Sequence, residues 1–82
     1  MELVLLTEEL VKALAVNKDM VSVKEFPSED SDTIIIQVII DNSDMGRVIG
    51  KGGKIANSIR TIVQASSYLK NNKKVKINID SF

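Results

Sequence analysis

In Met45-Gly46-Arg47-Val48-Ile49-Gly50-Lys51-Gly52-Gly53-Lys54-Ile55, a cluster of glycines and lysines separates two apolar segments. Glycine permits a positive φ and lets another backbone approach without a Cβ in the way. If a helix begins near Gly53, its free N–H groups and the positive end of its dipole lie beside this cluster. Such an arrangement is suited to holding a phosphate. A tight corner between two helices is the purely structural alternative, but a single glycine would satisfy it.

The sequence on both sides of this cluster alternates between helical and strand patterns. Leucines at helical spacing mark the first segment, and the β-branched run Thr33–Ile40 favours a strand at the centre of a sheet. The predicted elements are a helix over 3–15, strands over 20–26 and 33–40, a short helix from the Asp41–Asp44 cap to about Ile49, a helix from about Gly53 to 70, and a strand over 73–80. In the long helix we expect Ile55, Ile59, Ile62, Val63 and Ser66 to face inward, and Asn57, Arg60, Gln64 and Ser67 to face away.

The order α-β-β-α-α-β predicts an α+β fold with a three-stranded mixed sheet. A short turn joins the first two strands, which should therefore be antiparallel, whereas a crossover of about thirty residues suits parallel pairing of the second and third. The helices should cover one face of the sheet, and residues 1–82 should form one domain. Ile35 and Ile39 then lie on the uncovered face, which suggests a dimer interface, with partial burial under neighbouring side chains as the alternative.

Charge is distributed unevenly along a chain whose net charge is zero. Residues 1–41 hold nine acidic and three basic side chains, and residues 42–82 hold two acidic and eight basic ones. A domain polarised in this way can attract a polyanion to one face while remaining neutral overall. The glycine cluster lies in the basic half.

The composition excludes several kinds of chemistry. The chain has no cysteine and no histidine, so it lacks disulfides, the usual zinc ligands, thiol nucleophiles and the commonest general base. We therefore expect neither an enzyme nor a cofactor. The first residues lack the features of a signal peptide, and no apolar stretch approaches the ~20 residues of a membrane span. The expected location is the cytoplasm.

Other phosphate-binding and nucleic-acid-binding motifs fit the glycine cluster less well. A P-loop needs four residues between its first glycine and Gly-Lys, whereas three separate Gly46 from Gly50, and the cluster follows a helix rather than a strand. A helix-turn-helix motif that binds duplex DNA needs polar residues at the start of its second helix to contact the bases, and this chain has Ile55 and Ala56 there. A protein-interaction module, with the glycines serving only the shape of the turn, remains an alternative.

The segment Val48-Ile49-Gly50-Lys51-Gly52-Gly53-Lys54 matches the Ile-Gly-x-x-Gly signature of KH domains, and the order of elements resembles their type II arrangement. Over nearly its whole length the chain is similar to the small stand-alone bacterial KH proteins of the KhpA (YlqC) family, most clearly at residues 44–51 and 55–60. This resemblance implies a cytoplasmic protein that binds single-stranded RNA with weak sequence preference. It also implies an RNA chaperone or regulator tied to cell elongation and envelope growth, as a homodimer or paired with a second KH protein of the Jag (KhpB) type.

The resemblance also implies a role for each residue of the motif. A KH site holds about four nucleotides, with the backbone at the glycine loop and the bases on an aliphatic groove. The residues that should meet the phosphates are Gly50, Lys51, Gly52 and Gly53, and those expected to support them are Arg47, Lys54 and Arg60. Val48, Ile49 and Ile55 either line the groove or belong to the core. Ala56 departs from the large aliphatic residue that many KH domains carry there, which implies a differently shaped groove floor.

Overall fold

The computed structural model of the protein describes residues 2–82. Met1, which the prediction of one domain over residues 1–82 includes, lies outside the described residues. The helices and strands in chain order are α1 (Leu3–Leu14), β1 (Ser22–Phe26), β2 (Thr33–Ile40), α2 (Met45–Ile49), α3 (Lys54–Lys70) and β3 (Lys74–Ser81). The predicted order α-β-β-α-α-β is confirmed. The first strand begins later than predicted, because Lys18–Met20 form a turn of 3₁₀ helix in which the Met20 N–H donates to the Asn17 carbonyl.

The three strands form one mixed sheet in the order β1-β2-β3. β1 pairs antiparallel with β2, with Val23 opposite Val38, and β2 pairs parallel with β3, with Ile36 opposite Ile77. Both pairings agree with the prediction from the lengths of the connections. The β-branched strand β2 therefore lies at the centre, and β3 forms one edge of the sheet.

The core lies between one face of the sheet and the helices. Alternate residues of β2 are fully buried on this face, and they pack in one cluster with apolar residues of all three helices. The buried members of the cluster are Leu3, Val11, Val23, Ile36, Val38, Ile40, Val48, Ile59, Val63 and Ile77. Ile35 and Ile39 lie on the opposite face and are only partly buried. The prediction that helices cover one face of a three-stranded mixed sheet is confirmed.

The inward face of α3 is rotated relative to the predicted one. Ile62, expected to face inward, is 47% exposed, whereas Ser67, expected to face away, is fully buried. The buried positions Ala56, Ile59, Val63 and Ser67 follow the helical period. Ser67 is tolerated inside because its hydroxyl donates to the Lys73 carbonyl at 2.7 Å, where the chain turns from α3 into β3.

Among residues 2–82, no helix has the length and apolar character that crossing a membrane requires.

Candidate nucleic-acid interface

The glycine loop, residues 50–53, is a compact turn between α2 and α3. Gly50 ends α2 with φ 76° and ψ 172°, and its N–H donates to the Gly46 carbonyl at 3.0 Å. Gly52 and Gly53 also have positive φ, and the Gly53 N–H donates to the Gly50 carbonyl at 3.2 Å. This geometry leaves Lys51 and Gly52 exposed at the tip of the loop, directly before the first turn of α3.

Two of the loop glycines serve different purposes. A Cβ on Gly50 would lie 2.6 Å from Cγ1 of Ile55, so this position admits no side chain without displacing the packing of α3. A Cβ on Gly52 would meet no atom within 4 Å. The first glycine is therefore required by the fold, whereas the space in front of Gly52 is open to a ligand backbone.

Two lysines, one in the loop and one in the first turn of α3, carry charges that no residue of the described chain neutralises. Lys51 and Lys54 are exposed, and within residues 2–82 no hydrogen bond or ion pair engages either ammonium group. A cation at the start of a helix opposes the helix dipole, and α3 has no acidic residue in its first turn. Lys54 therefore does not stabilise the helix it begins, and the concentrated positive charge favours an anionic ligand.

Arg47 points back along α2. Its Nη1 donates to the Ser43 carbonyl at 2.9 Å and to Oδ1 of Asp44 at 3.2 Å, while its side chain remains 52% exposed. Arg47 thus contributes charge near the loop from a position that intramolecular contacts already fix.

Asp44 joins the end of α1 to the start of α2. Its buried carboxylate accepts the backbone N–H of Val16 at 3.0 Å on Oδ1 and that of Asn17 at 2.9 Å on Oδ2. The hydrogen bond from Val16 lowers the pKa of this carboxyl below its ordinary value of 3.8, with further lowering from Asn17 and Arg47, although burial acts in the opposite direction. The sequence predicted Asp44 only as part of a helix cap and did not predict these contacts with the end of α1.

Replacing Asp44 by asparagine should lower the melting temperature by roughly 5–10 °C near neutral pH, because a neutral amide offers one acceptor where the carboxylate offers two. A carboxyl with a lowered pKa in the folded chain stabilises the fold above its ordinary pKa, and this stabilisation is lost as the pH falls through the lowered value. The difference between the two proteins should therefore shrink below about pH 4. Thermal unfolding followed by circular dichroism across this range measures it, and a constant difference contradicts this role for Asp44.

A groove lies between α3 and the edge strand β3, and its lining along α3 begins at Arg60. The Gln64 amide spans its floor, donating to the Lys73 carbonyl at 3.0 Å and accepting the Val75 N–H at 2.9 Å. Arg60 is the lining residue of α3 that is nearest the loop in sequence, and its Nε and Nη2 lie 3.4 and 3.3 Å from the Ile77 carbonyl. The cleft on the α3 side has a volume of about 460 Å³ and is lined by Arg60, Thr61, Gln64, Ala65, Tyr68 and Val75.

The groove continues around the edge of β3 and is positively charged. An adjoining cleft of about 370 Å³ shares Gln64 and Val75 and adds Thr33, Lys74 and Lys76. Among the described residues, no carboxylate lines either cleft. A cationic groove along the helix that follows a glycine loop can track the backbone of a single polyanionic strand.

Apart from Arg47, the structure places six of the predicted residues at the loop or the groove and buries the other three wholly or in part. Gly50, Lys51, Gly52, Gly53 and Lys54 lie together at the loop, and Arg60 lies at the wall of the groove. Val48 is fully buried, so of the two roles left open for it only the core agrees with its position. Ile49 and Ile55 are partly buried, with Ile55 packed against the core beside Gly50, and Ala56 is buried beneath them in α3.

Two residues of the groove were missed by the sequence reasoning. Gln64 was expected only to face away from the core, and no role was predicted for Tyr68. Both follow Arg60 at intervals of four residues, which places the three side chains on one face of α3. That spacing was the available signal.

Known proteins that match most of this chain belong to one family and share one name. The sequence model of the family described as "KhpA/KhpB, KH domain" matches residues 5–79. The RNA-binding protein KhpA of Caldanaerobacter subterraneus subsp. tengcongensis is 45% identical over 74 residues, which cover 90% of this chain and 95% of that protein. The RNA-binding protein KhpA of Clostridium perfringens is 43% identical with the same coverage.

Solved structures with a similar fold are much longer proteins. Era in complex with MgGDPNP and a segment of 16S ribosomal RNA superposes with a TM-score of 0.68 at 17% identity, covering 96% of this chain but 29% of that one. An Aquifex aeolicus Era variant bound to GDP and aluminium fluoride gives a TM-score of 0.69 at 16% identity, with 98% and 30% covered. At this level of identity the likeness concerns the fold alone.

Proposed function

Because the chain belongs to the KhpA/KhpB KH-domain family, we propose that it binds single-stranded RNA at the glycine loop and along the groove between α3 and β3. The observation that carries this proposal is the open space in front of Gly52, flanked by the free ammonium groups of Lys51 and Lys54. The relatives that match most of the chain are named RNA-binding proteins, which supports the same ligand.

The phosphates lie against the backbone of residues 50–53, with Lys51 and Lys54 supplying charge. Arg60 continues the positive charge into the groove, and Arg47 adds to the field near the loop. The partly buried Ile49 and Ile55 present aliphatic surface beside the loop, where the first bases lie. The proposed contacts thus combine a sequence-independent grip on the backbone with apolar support for the bases.

The biological role proposed here follows the resemblance noted in the sequence. Residues 1–82 act as one KH domain in the cytoplasm, without catalysis and without a cofactor. The protein serves as an RNA chaperone or regulator of gene expression linked to cell elongation, cell shape and cell-wall organisation. Its protein partner is a second copy of the chain, a KH protein of the Jag (KhpB) type, or both.

RNA binding is tested by titrating a fluorescent single-stranded RNA of mixed sequence with the native chain at several salt concentrations. Each phosphate contact contributes about −0.7 to the slope of log K against log salt for a single strand, so contacts from Lys51, Lys54 and Arg60 together predict a slope of about −2. An excess of unlabelled duplex DNA should not displace the RNA. Binding that is absent or independent of salt contradicts the proposal and favours the protein-interaction module.

The uncovered face of the sheet supports self-association. Phe26, Ile35, Ile39 and Phe82 all lie on this face, and Phe26 is 46% exposed. These apolar side chains lie beside Ser22, Lys24 and Gln37, and in a chain of 82 residues they gain additional burial when two copies meet. We place the dimer interface on this face.

Replacing Phe26 by lysine should weaken dimerisation at least about tenfold, because it introduces a charge into an apolar contact. Sedimentation velocity over a range of micromolar concentrations measures the effect. The matched control is Ile62→Lys, which places the same charge on the half-exposed outer side of α3. A native chain that stays monomeric contradicts the dimer, and dissociation caused only by Ile62→Lys moves the interface to α3.

A further inference from the structure

Tyr68 lies in the groove but is not part of the core. Its side chain is 53% exposed and lines the same cleft as Arg60 and Gln64, on the α3 side. Within the described part of the chain its hydroxyl makes no hydrogen bond. The fold therefore gains little from an aromatic ring at this position, whereas the ring remains accessible from the groove.

The position of Tyr68 relative to the loop sets which part of a bound strand can reach it. Tyr68 lies fourteen positions after Lys54 in α3, a distance of about 21 Å along the helix axis. At the ~3.4 Å spacing of stacked nucleotides this corresponds to about six nucleotides, and to fewer in a more extended strand. A KH loop and groove hold about four nucleotides, so a base just beyond the end of this segment comes level with the ring.

The charges around Tyr68 direct a strand toward it. Arg60 precedes Tyr68 along the same face of α3, and Lys74 and Lys76 line the adjoining cleft on β3. Among the described residues, no carboxylate lines this part of the groove. A cationic channel with one accessible aromatic ring is the combination that single-strand binding surfaces use to stack bases.

We propose that the ring of Tyr68 stacks on a base of the RNA whose backbone is held at the glycine loop, and so sets the far end of the binding site. This inference rests on the proposed RNA binding and adds a residue and a site length to it. Stacking on an aromatic ring tolerates any base, which agrees with broad RNA recognition.

Replacing Tyr68 by alanine should weaken the binding of a ten-nucleotide RNA about tenfold, which lies within the range measured for single stacking contacts. Tyr68→Phe should retain near-native affinity, because the ring is kept and only the unpartnered hydroxyl is lost. A four-nucleotide RNA should bind both variants alike. The control is Leu69→Ala, which removes a neighbouring side chain that is 89% exposed and does not line the groove.

The chain offers a direct signal for the same contact. Tyr68 is its only tyrosine and there is no tryptophan, so the intrinsic fluorescence reports this ring alone. Stacking should quench the emission, with the same midpoint as the anisotropy of the labelled RNA. If Tyr68→Ala binds RNA with native affinity and the tyrosine emission of the native chain is not quenched by RNA, Tyr68 has no role in binding, although RNA binding itself stands. Loss of all RNA binding by the native chain overturns both.

Discussion

Replacing Gly50 by alanine should destabilise the protein by about 3–5 kcal/mol, the largest loss of stability expected from a single methyl group in this chain. The backbone at Gly50, with φ 76° and ψ 172°, belongs to a region that side-chain-bearing residues hardly ever adopt. The added Cβ would also lie 2.6 Å from Ile55, which packs against the core. The two costs arise independently and act at the same position.

The matched control for Gly50→Ala is Gly52→Ala. Gly52 also has a positive φ, of 64°, but a Cβ there meets nothing within 4 Å, so only the backbone cost of about 1 kcal/mol remains. Urea unfolding followed by circular dichroism compares the two variants with the native chain. Equal stability of the two variants would show that the contact with Ile55 does not constrain the loop.

Replacing both Lys51 and Gly52 by aspartate should reduce RNA affinity at least about 100-fold without unfolding the protein. Lys51→Asp reverses a charge beside the proposed phosphate site, and Gly52→Asp adds a second carboxylate in the space that the RNA backbone needs. Both positions are exposed, and aspartate tolerates the left-handed backbone of Gly52 better than most residues do. The stability of the double variant should therefore stay near that of the native chain.

A charge-matched control separates a local effect from one of net charge. Leu5→Glu, Ala13→Glu and Ser31→Asp together change the net charge by the same three units at exposed positions in α1 and in the turn after β1. RNA affinity should remain near native in this control at physiological salt, because screening limits the reach of exposed charges to about 10 Å.

The order of elements, the sheet topology and the loop were predictable because local patterns determine them. The β-branched run of β2 admits little besides a central strand, and the lengths of its two connections fix antiparallel and parallel pairing. The glycines after Ile49 similarly mark the end of one helix and the start of the next. Each of these features depends on residues close together in the chain.

The features that the sequence did not reveal depend on contacts between distant segments. Asp44 is buried because its carboxylate meets backbone N–H groups 27 and 28 residues away, at the end of α1. Ser67 faces inward because the Lys73 carbonyl lies beside it, whereas Ile62 is left at the surface. Tyr68 enters the groove only because α3 packs along β3. Periodicity predicts that a helix has an inner face but does not fix its rotation.

The most direct test of RNA binding at the glycine loop is a fluorescence-anisotropy titration of single-stranded RNA with the native chain, the Lys51→Asp, Gly52→Asp variant and the charge-matched control. It is performed at low and at physiological salt after circular dichroism has confirmed that all three proteins are folded. We expect the native chain and the control to bind, and the loop variant to show no saturation over the same concentrations. Equal binding by the folded loop variant would contradict the assignment of the glycine loop as the RNA site.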